Sequence, residues 1–302
     1  MKKSVGVVGL GNMGTRMAKN LIKAHYPVTV YDIRPEPMDE LKALGADVVE
    51  TPKELGAKSD VVFVMVLNYS QVEACTLDSD HGLLYGMKPG SILVVTSTIA
   101  PSEIKKVAAV AALRKVNVLD SPVSGGVSGA EKGTLTMMVA GDDAVYESCK
   151  EIFATVGSNT RRVGKEIGLG QVVKAANQLL VSVHVVAMAE AMVLATKAGA
   201  DPEVVFDVIK RSVGNSYLFE EKMPTILERN FSRRGALDIQ IKDLDICLTM
   251  GREMNVPLLT SAISREVFLW ANGMGLGSED ISAIIKVFEK AAGVEVRKRK
   301  EI

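Results

Sequence analysis

The sequence predicts an α/β domain, a doubly wound parallel sheet, joined by a long helix to an all-α domain. Three observations predict it. Through residues 1–163 short apolar runs alternate with helical stretches, and a glycine-rich turn follows the first run. From residue 164 the strand pattern stops and long helical periodicity replaces it. Apolar runs without polar alternation mark strands covered on both faces, as helices on the two sides of a parallel sheet would cover them.

The elements follow in order. Val5–Val8 is a short buried strand, and 15–23 reads as a helix. Between them stands Gly9-Leu10-Gly11-Asn12-Met13-Gly14. A G-x-G-x-x-G between strand and helix is the dinucleotide-binding fingerprint of the Rossmann fold. Gly9 permits the tight turn, Gly11 lets a pyrophosphate approach the backbone, and Gly14 lets helix and strand pack closely. The phosphates then face unsatisfied N–H groups at the positive end of the helix dipole. Val28–Tyr31 is a second strand, ended by Asp32. A carboxylate there accepts hydrogen bonds from both ribose hydroxyls and repels a 2′-phosphate, which favours NAD. Arg34, two residues on, could pair with a 2′-phosphate, so NADP stays open. A helix over 38–44 is closed by Gly45. Residues 61–66, 91–95 and 116–119 are further strands, with less regular candidates at 135–140 and 160–163.

After Gly168-Leu169-Gly170, residues 171–198 contain neither proline nor glycine and read as one long helix with Gly199 as C-cap. Helices are expected at 202–212, with Asp201 as N-cap, and at 217–229, 239–254, 257–272 and 278–290. The expected domains are therefore 1–163, dinucleotide-binding, and 164–302, all-helical. Arg297-Lys298-Arg299-Lys300 reads as a solvated tail.

Bulk properties narrow the function. The 302 residues suit one large or two ordinary domains, and 47% hydrophobic residues suffice for a sizeable core. Lysine plus arginine equals aspartate plus glutamate at 36 each, which argues against a general nucleic-acid binder. Cys75, Cys149 and Cys247 are few, odd in number and far apart, as in reduced cytosolic proteins. His25, His81 and His184 show no metal-ligand spacing, so no metal is expected. No secretion signal is expected, because the fingerprint strand starts within a few residues of Met1. No membrane span is expected either: the apolar run 179–189 is broken by Ser182 and His184 and followed by Glu190.

Three segments carry candidate chemistry. Asp120-Ser121-Pro122-Val123-Ser124-Gly125-Gly126 ends a strand in a turn whose N–H groups and hydroxyl suit a carboxylate, although spacing alone fits an ordinary glycine loop equally well. Lys174 stands among Val172, Val173, Ala175 and Ala176, and shares its helix face with Asn177 and Gln178. A lysine desolvated there would have its pKa lowered and could accept a proton; the commoner alternative is a lysine that snorkels to solvent. Lys242 lies one turn after Asp238, and the ordinary reading is an i,i+4 ion pair.

Together these motifs resemble the β-hydroxyacid dehydrogenase family, which includes 3-hydroxyisobutyrate dehydrogenase, tartronate semialdehyde reductase and L-threonate dehydrogenase and is related to 6-phosphogluconate dehydrogenase. Gly133-Thr134-Leu135 joins them in the family's order, and the resemblance spans almost the whole chain. It implies that Lys174 is the catalytic lysine. Ser124, Gly125 and Gly126 would hold the substrate carboxylate, and Asn177 and Gln178 would orient substrate. Beside Gly9, Leu10, Gly11, Asn12, Met13, Gly14, Asp32 and Arg34, it implies cofactor contacts at Val66, Leu67, Thr98 and Lys242. The chain departs from the family where members often carry Asn-Asn (here Asn177-Gln178) and Leu-Pro (here Val66-Leu67). It also departs at Asn230-Phe231-Ser232-Arg233-Arg234-Gly235, where many members have a Pro-Gly turn. That stretch, with Gly214 through Phe219, is more similar to L-threonate dehydrogenase-like members.

The expected reaction is NAD(P)-dependent interconversion of a small β-hydroxy acid and its 3-oxo acid or semialdehyde. The substrate expected is 3-hydroxyisobutyrate or an L-threonate-like acid. Alternatives are an NADPH-dependent glyoxylate or succinic semialdehyde reductase, an imine reductase, and a cofactor-bound sensor. A cytoplasmic homodimer or homotetramer is expected, with neither nucleic acid nor membrane as partner.

Overall fold

The computed structural model describes residues 2–299. The chain forms two compact units, residues 1–174 and 175–302.

The first unit runs β1 (Val5–Val8), α1 (Gly14–Lys23), β2 (Val28–Tyr31), α2 (Pro35–Ala43), β3 (Asp47–Val48), α3 (Pro52–Lys58), β4 (Val61–Val64) and α4 (Tyr69–Leu77). It continues through β5 (Ile92–Val95), α5 (Pro101–Leu113), β6 (Asn117–Asp120), β7 (Val123–Ser124), α6 (Gly126–Lys132), β8 (Thr136–Ala140), α7 (Asp143–Glu147), α8 (Lys150–Val156) and β9 (Asn159–Gly164). Six strands lie parallel in the order β3-β2-β1-β4-β5-β6. The order reverses between β1 and β4, so a crevice opens beyond their carboxyl ends, where Gly9 and Met65 leave the sheet. β8 then runs antiparallel to β6 and β7, and β9 runs parallel to β8. The parallel pattern thus ends at β6, because the chain returns through the short α6 rather than a full crossover.

Alternating side chains build two cores, one on each face of the sheet. Val5, Val7, Val61, Phe63, Ile92 and Val94 pack with Met17, Leu21 and Phe153. Val8, Val62, Val64, Leu93 and Val95 pack with Leu55, Val72 and Ile104. Phe63 meets Phe153 edge to face, with ring centroids 5.9 Å apart.

Differences from the sequence expectation have local causes. The strand expected over 61–66 stops at Val64, because Val66 N–H donates to the Ser97 hydroxyl at 2.9 Å instead of continuing a ladder. Helix α2 starts three residues earlier than expected, with Pro35 in its first turn. α3 was absent from the expectation, yet it carries a readable start: Thr51 accepts from Glu54 N–H at 3.2 Å, followed by Pro52.

In α9 (Leu169–Lys197) the first turns belong to the first unit, which is why the division falls at Lys174 rather than at 163. α9 ends in a Schellman motif: Ala200 N–H donates to Ala195 O and Gly199 N–H to Thr196 O. At 29 residues it has the length and apolar composition of a membrane span, which the broken run 179–189 had not suggested. Val185, Ala189 and Met192 pack one side of it into the second unit's core, and 39% of its most apolar stretch is buried.

That unit continues with α10 (Pro202–Lys210), capped by Asp201, then α11 (Tyr217–Leu227), α12 (Leu237–Glu253), α13 (Leu259–Gly273) and α14 (Ile285–Ala292). The single helix expected over 278–290 splits. Asp280 caps a 3-10 turn, Ile281–Ile284, by accepting from Ser282 N–H at 3.1 Å, and α14 follows. The basic end is exposed, as expected, and also ion-paired. Lys298 lies 3.5 Å from Glu228, and Arg299 lies 3.6 Å from Asp201 and donates to Gly199 O at 3.0 Å. Lys300 lies outside the described residues.

Candidate functional site

The glycine turn occupies the switch point. Gly9 has φ +88°, a region that disfavours side chains, and a Cβ on Gly14 would overlap the Gly9 carbonyl. Those two glycines are required by the turn itself. A Cβ on Gly11 would meet no protein atom within 4 Å, so packing does not demand glycine there. Glycine at Gly11 instead keeps the backbone open to a group from outside. Met13 and the first turn of α1 offer neither a side-chain cap nor an acidic residue, which leaves the N–H groups to an anion. Beside the turn a cavity of about 400 Å³ is lined by Leu10, Gly11 and Asn12, by Arg16, Lys19 and Arg34, and by Glu36, Glu40 and Glu131. These features fit the pyrophosphate of a dinucleotide.

Asp32 is 8% exposed, and its oxygens face protein donors. Oδ2 accepts from Leu10 N–H at 2.6 Å; Oδ1 accepts from Arg34 N–H at 2.9 Å and from Arg34 Nε at 3.0 Å. Burial alone would push its pKa up, but the hydrogen bonds from Arg34 and Leu10 hold it below the usual carboxylate range. Arg34 also donates to Leu10 O at 3.2 Å, and about half of its side chain is exposed. Asp32 therefore fixes the glycine turn to the end of β2, and the exposed charge at this corner is Arg34.

Beyond β4, Val66 is half-buried and Leu67 half-exposed, with Leu67 N–H donating to Gln71 Oε1 at 3.0 Å. Beyond β5, half-buried Thr98 stands between Ser97 and Ile99, both of which are gripped by one side chain. Gln171 Nε2 donates to Ser97 O at 3.1 Å, and Ile99 N–H donates to Gln171 Oε1 at 3.1 Å. The same Nε2 donates to Asp120 Oδ1 at 2.8 Å. Asp120 Oδ2 accepts from Gly168 N–H at 2.9 Å and Gln171 N–H at 3.2 Å. Asp120 is fully buried, and that burial outweighs its hydrogen bonds and pushes its pKa up to about 6. Further along, Ser124 closes β7, and the exposed Gly125 and Gly126 take φ of +121° and +60°, Gly125 capping α6 and Gly126 opening it.

Lys174 is 7% exposed, so it does not snorkel. Its neighbour Val173 points outward, at 38% exposure, whereas Gln171 and Ala175 are buried on its own side of α9.

In the second unit, Asn177 Nδ2 donates to Gln178 Oε1 at 3.0 Å, and Gln178 Nε2 donates to Asp243 Oδ2 at 2.6 Å. Lys242 Nζ lies 2.8 Å from Asp243 Oδ1. Asp243 is 3% exposed, which makes it a buried carboxylate shared between an amide and an ammonium. Gln240 extends the network, donating to Ser182 Oγ at 2.6 Å. Asp238, the i,i+4 partner expected for Lys242, instead has Arg233 at 3.9 Å. Sequence reasoning placed Gln178 on substrate; its amide is aimed at Asp243 and Asn177. It missed Asp120, Gln171, Gln240 and Asp243. The signal available was polar residues at helix positions flanked by apolar ones, which mark buried polar contacts without naming partners.

A Rossmann-type unit with an open glycine turn, followed by an all-helical unit, defines an NAD(P)-dependent oxidoreductase. Residues 4–164 match the family described as the NAD binding domain of 6-phosphogluconate dehydrogenase, and residues 168–288 the one described as NAD-binding of NADP-dependent 3-hydroxyisobutyrate dehydrogenase. The chain is 38% identical to an L-threonate dehydrogenase of Cupriavidus necator, covering 95% of this chain and 97% of that one. It is 39% identical to a 2-(hydroxymethyl)glutarate dehydrogenase of Eubacterium barkeri, covering 98% and 99%. A crystal structure of a 3-hydroxyisobutyrate dehydrogenase from Salmonella typhimurium superposes with a TM-score of 0.87 at 35% identity, over 95% of this chain and all of that one. The chain belongs to the β-hydroxyacid dehydrogenase family.

Proposed function

We propose that the protein interconverts a small β-hydroxy acid and its oxo acid or semialdehyde, with Lys174 as the proton carrier. The observation that carries this reading is a lysine buried to 7% exposure in a chain of this family. The nicotinamide, when bound, supplies two-electron transfer at the carbon bearing the hydroxyl. The residues do the rest. Neutral Lys174 takes the hydroxyl proton on Nζ as the C–O bond becomes a carbonyl, and in reverse protonated Lys174 returns it. Asn177, one helical turn on, orients the hydroxyl. Ser124 with the N–H groups of Gly125 and Gly126 holds the carboxylate. Gln178 and Asp243 orient Asn177 and Lys242. In the first unit the turn Gly9–Gly14, with Val66, Leu67 and Thr98, holds the cofactor.

An L-threonate-like acid is the favoured substrate, supported by the identity to L-threonate dehydrogenases; 3-hydroxyisobutyrate and 2-(hydroxymethyl)glutarate come next. Either NAD or NADP is accepted, since Arg34 presents a cation beside the Asp32 corner. Further, the protein is a cytoplasmic homodimer or homotetramer that binds neither nucleic acid nor membrane. Three buried, widely separated cysteines and balanced charge support this. So do the exposed apolar residues Leu180 and Leu194 on α9, with Leu259, Ile263 and Trp270 on α13, as surface for a second copy. An assay of reduced-nicotinamide absorbance with the three acids and both cofactors tests the reading. Turnover fastest with L-threonate is expected. Tight cofactor binding with no turnover of any hydroxy acid would replace the enzyme by a sensor.

A further inference from the structure

The geometry points to Asp120 and Gln171 as a positioning pair that sets the approach of Lys174 to the bound substrate. Neither residue is assigned a role by the reading above, on which this inference rests for the identity of the catalytic lysine.

Gln171 lies one helical turn before Lys174 and is 1% exposed. Its amide joins three separate pieces of the first unit. Oε1 accepts from Ile99 N–H, and Nε2 donates both to Ser97 O and to Asp120 Oδ1. Thr98 is therefore held on both sides by the residue that also fixes the turn carrying Lys174. Asp120 completes the hold from the end of β6. Its Oδ2 accepts the N–H groups of Gly168 and Gln171, as an N-cap does for the first turn of a helix. Glycine at 170 allows the close approach: a Cβ there would stand 2.8 Å from Asp120 O and 2.7 Å from Met138 O.

The polarity of the cluster admits one arrangement. Ile99 N–H requires an acceptor and Ser97 O a donor, so the Gln171 amide cannot flip without breaking both bonds. Its Nε2 must then face an acceptor on residue 120, and the backbone N–H groups require a second acceptor there. Only a carboxylate supplies both. An asparagine would place a donor against a donor at one of the two oxygens.

Such a cluster is more than helix stabilisation demands, since a serine or threonine cap would satisfy the same N–H groups. What it adds is a common reference for Thr98 and Lys174. Misplacement of a reacting group by about 1 Å costs on the order of 10²-fold in rate, so this precision affects turnover more than binding.

The test compares Asp120→Asn, Gln171→Glu and the double swap Asp120→Asn/Gln171→Glu. Gln171→Glu opposes two carboxylates. The swap restores a donor facing an acceptor between residues 120 and 171; it shares with Gln171→Glu an oxygen opposed to Ser97 O, so Gln171→Glu is the parent against which its recovery is read. Each protein is assayed on the hydroxy acid that the native enzyme turns over fastest, with cofactor affinity by fluorescence. Hydrogen exchange of the amides at 168–174 is followed as well. Each single variant should lower kcat about 10²-fold while KM and cofactor affinity stay within about threefold. Exchange at Gly168 and Gln171 should accelerate, and the swap should recover at least about tenfold of the lost kcat. Unchanged kcat in both single variants, or accelerated exchange with unchanged kcat, overturns the inference and leaves a purely structural cap. So does a swap no better than Gln171→Glu. If a single variant does not fold, the folded swap decides by its kcat and exchange. A Lys174→Met enzyme with native turnover would instead overturn the catalytic reading, while the exchange data would still report on the pair.

Discussion

Asp32 and Asp120 are the same device used twice with opposite electrostatics. Each ends a strand, each is buried, and each accepts backbone N–H groups from a glycine-bearing turn beside a helix start. Asp32 holds the Gly9–Gly14 turn and is itself held by Arg34, which keeps its pKa low. Asp120 holds the turn that leads to Lys174 through N–H groups and an amide, and burial raises its pKa to about 6. The turn with the paired, low-pKa carboxylate is assigned to anchoring the cofactor. The turn held by neutral donors is assigned to carrying the proton-transfer group. A cation beside Asp120 would also lie near Lys174, the proposed proton carrier, and would disfavour its charged form.

The largest expected effect lies at the end of the second turn. Lys174→Met keeps most of the side chain's length and its apolar stem and removes the proposed proton carrier. kcat/KM should fall about 10³-fold with NAD(H) affinity within a few fold. A loss confined to KM would mean that Lys174 binds substrate without moving a proton.

The next contrast lies within the cofactor turn. Gly14→Ala drives a methyl group into the Gly9 carbonyl and should destabilise the protein by about 1–3 kcal/mol, read as a lower melting temperature. Gly11→Ala meets no protein atom and should leave that temperature within a few degrees, yet weaken NAD(H) binding about tenfold or more. Normal cofactor affinity in Gly11→Ala would remove the turn as the phosphate site.

What the sequence made legible follows the range of the interactions. The strand, turn and helix around Gly9–Gly14 are local, and the pattern specifies them. So do the Asp201 cap and the Schellman end at Gly199. The long-range choices were not legible. Val66 N–H goes to Ser97 Oγ, 31 residues away, and that bond ends β4 early. The sequence neighbours of Lys174 alone left a snorkelling side chain open beside a desolvated one, because burial depends on what packs over a helix. Gln171 and Asp120 are 51 residues apart, and Gln178 and Asp243 are 65 apart. No spacing rule links such pairs, so the side chains that hold the candidate catalytic residues were the least readable part of the site.

The two aspartates should also separate in the pH dependence of stability. Asp120 has a folded-state pKa of about 6 against 3.8 for an ordinary aspartate, so the folded state binds its proton more tightly than the unfolded state does. Its contribution is fully present below 3.8 and is lost as pH rises through about 6, a swing of about 3 kcal/mol at most. Asp32 is lowered, so its contribution is present above 3.8 and is lost as pH falls through its depressed value. Urea unfolding of the native protein, Asp120→Asn and Asp32→Asn between pH 3.5 and 7.5 reads both slopes. The stability of the native protein relative to Asp120→Asn should improve from pH 7 to pH 4. Relative to Asp32→Asn it should hold steady through that range and fall only at the acid end. Slopes of the same sign would mean that the Gln171 amide and the two backbone N–H groups stabilise the Asp120 carboxylate as well as the Arg34 guanidinium stabilises Asp32. The contrast between the two turns would then lie in geometry and not in charge.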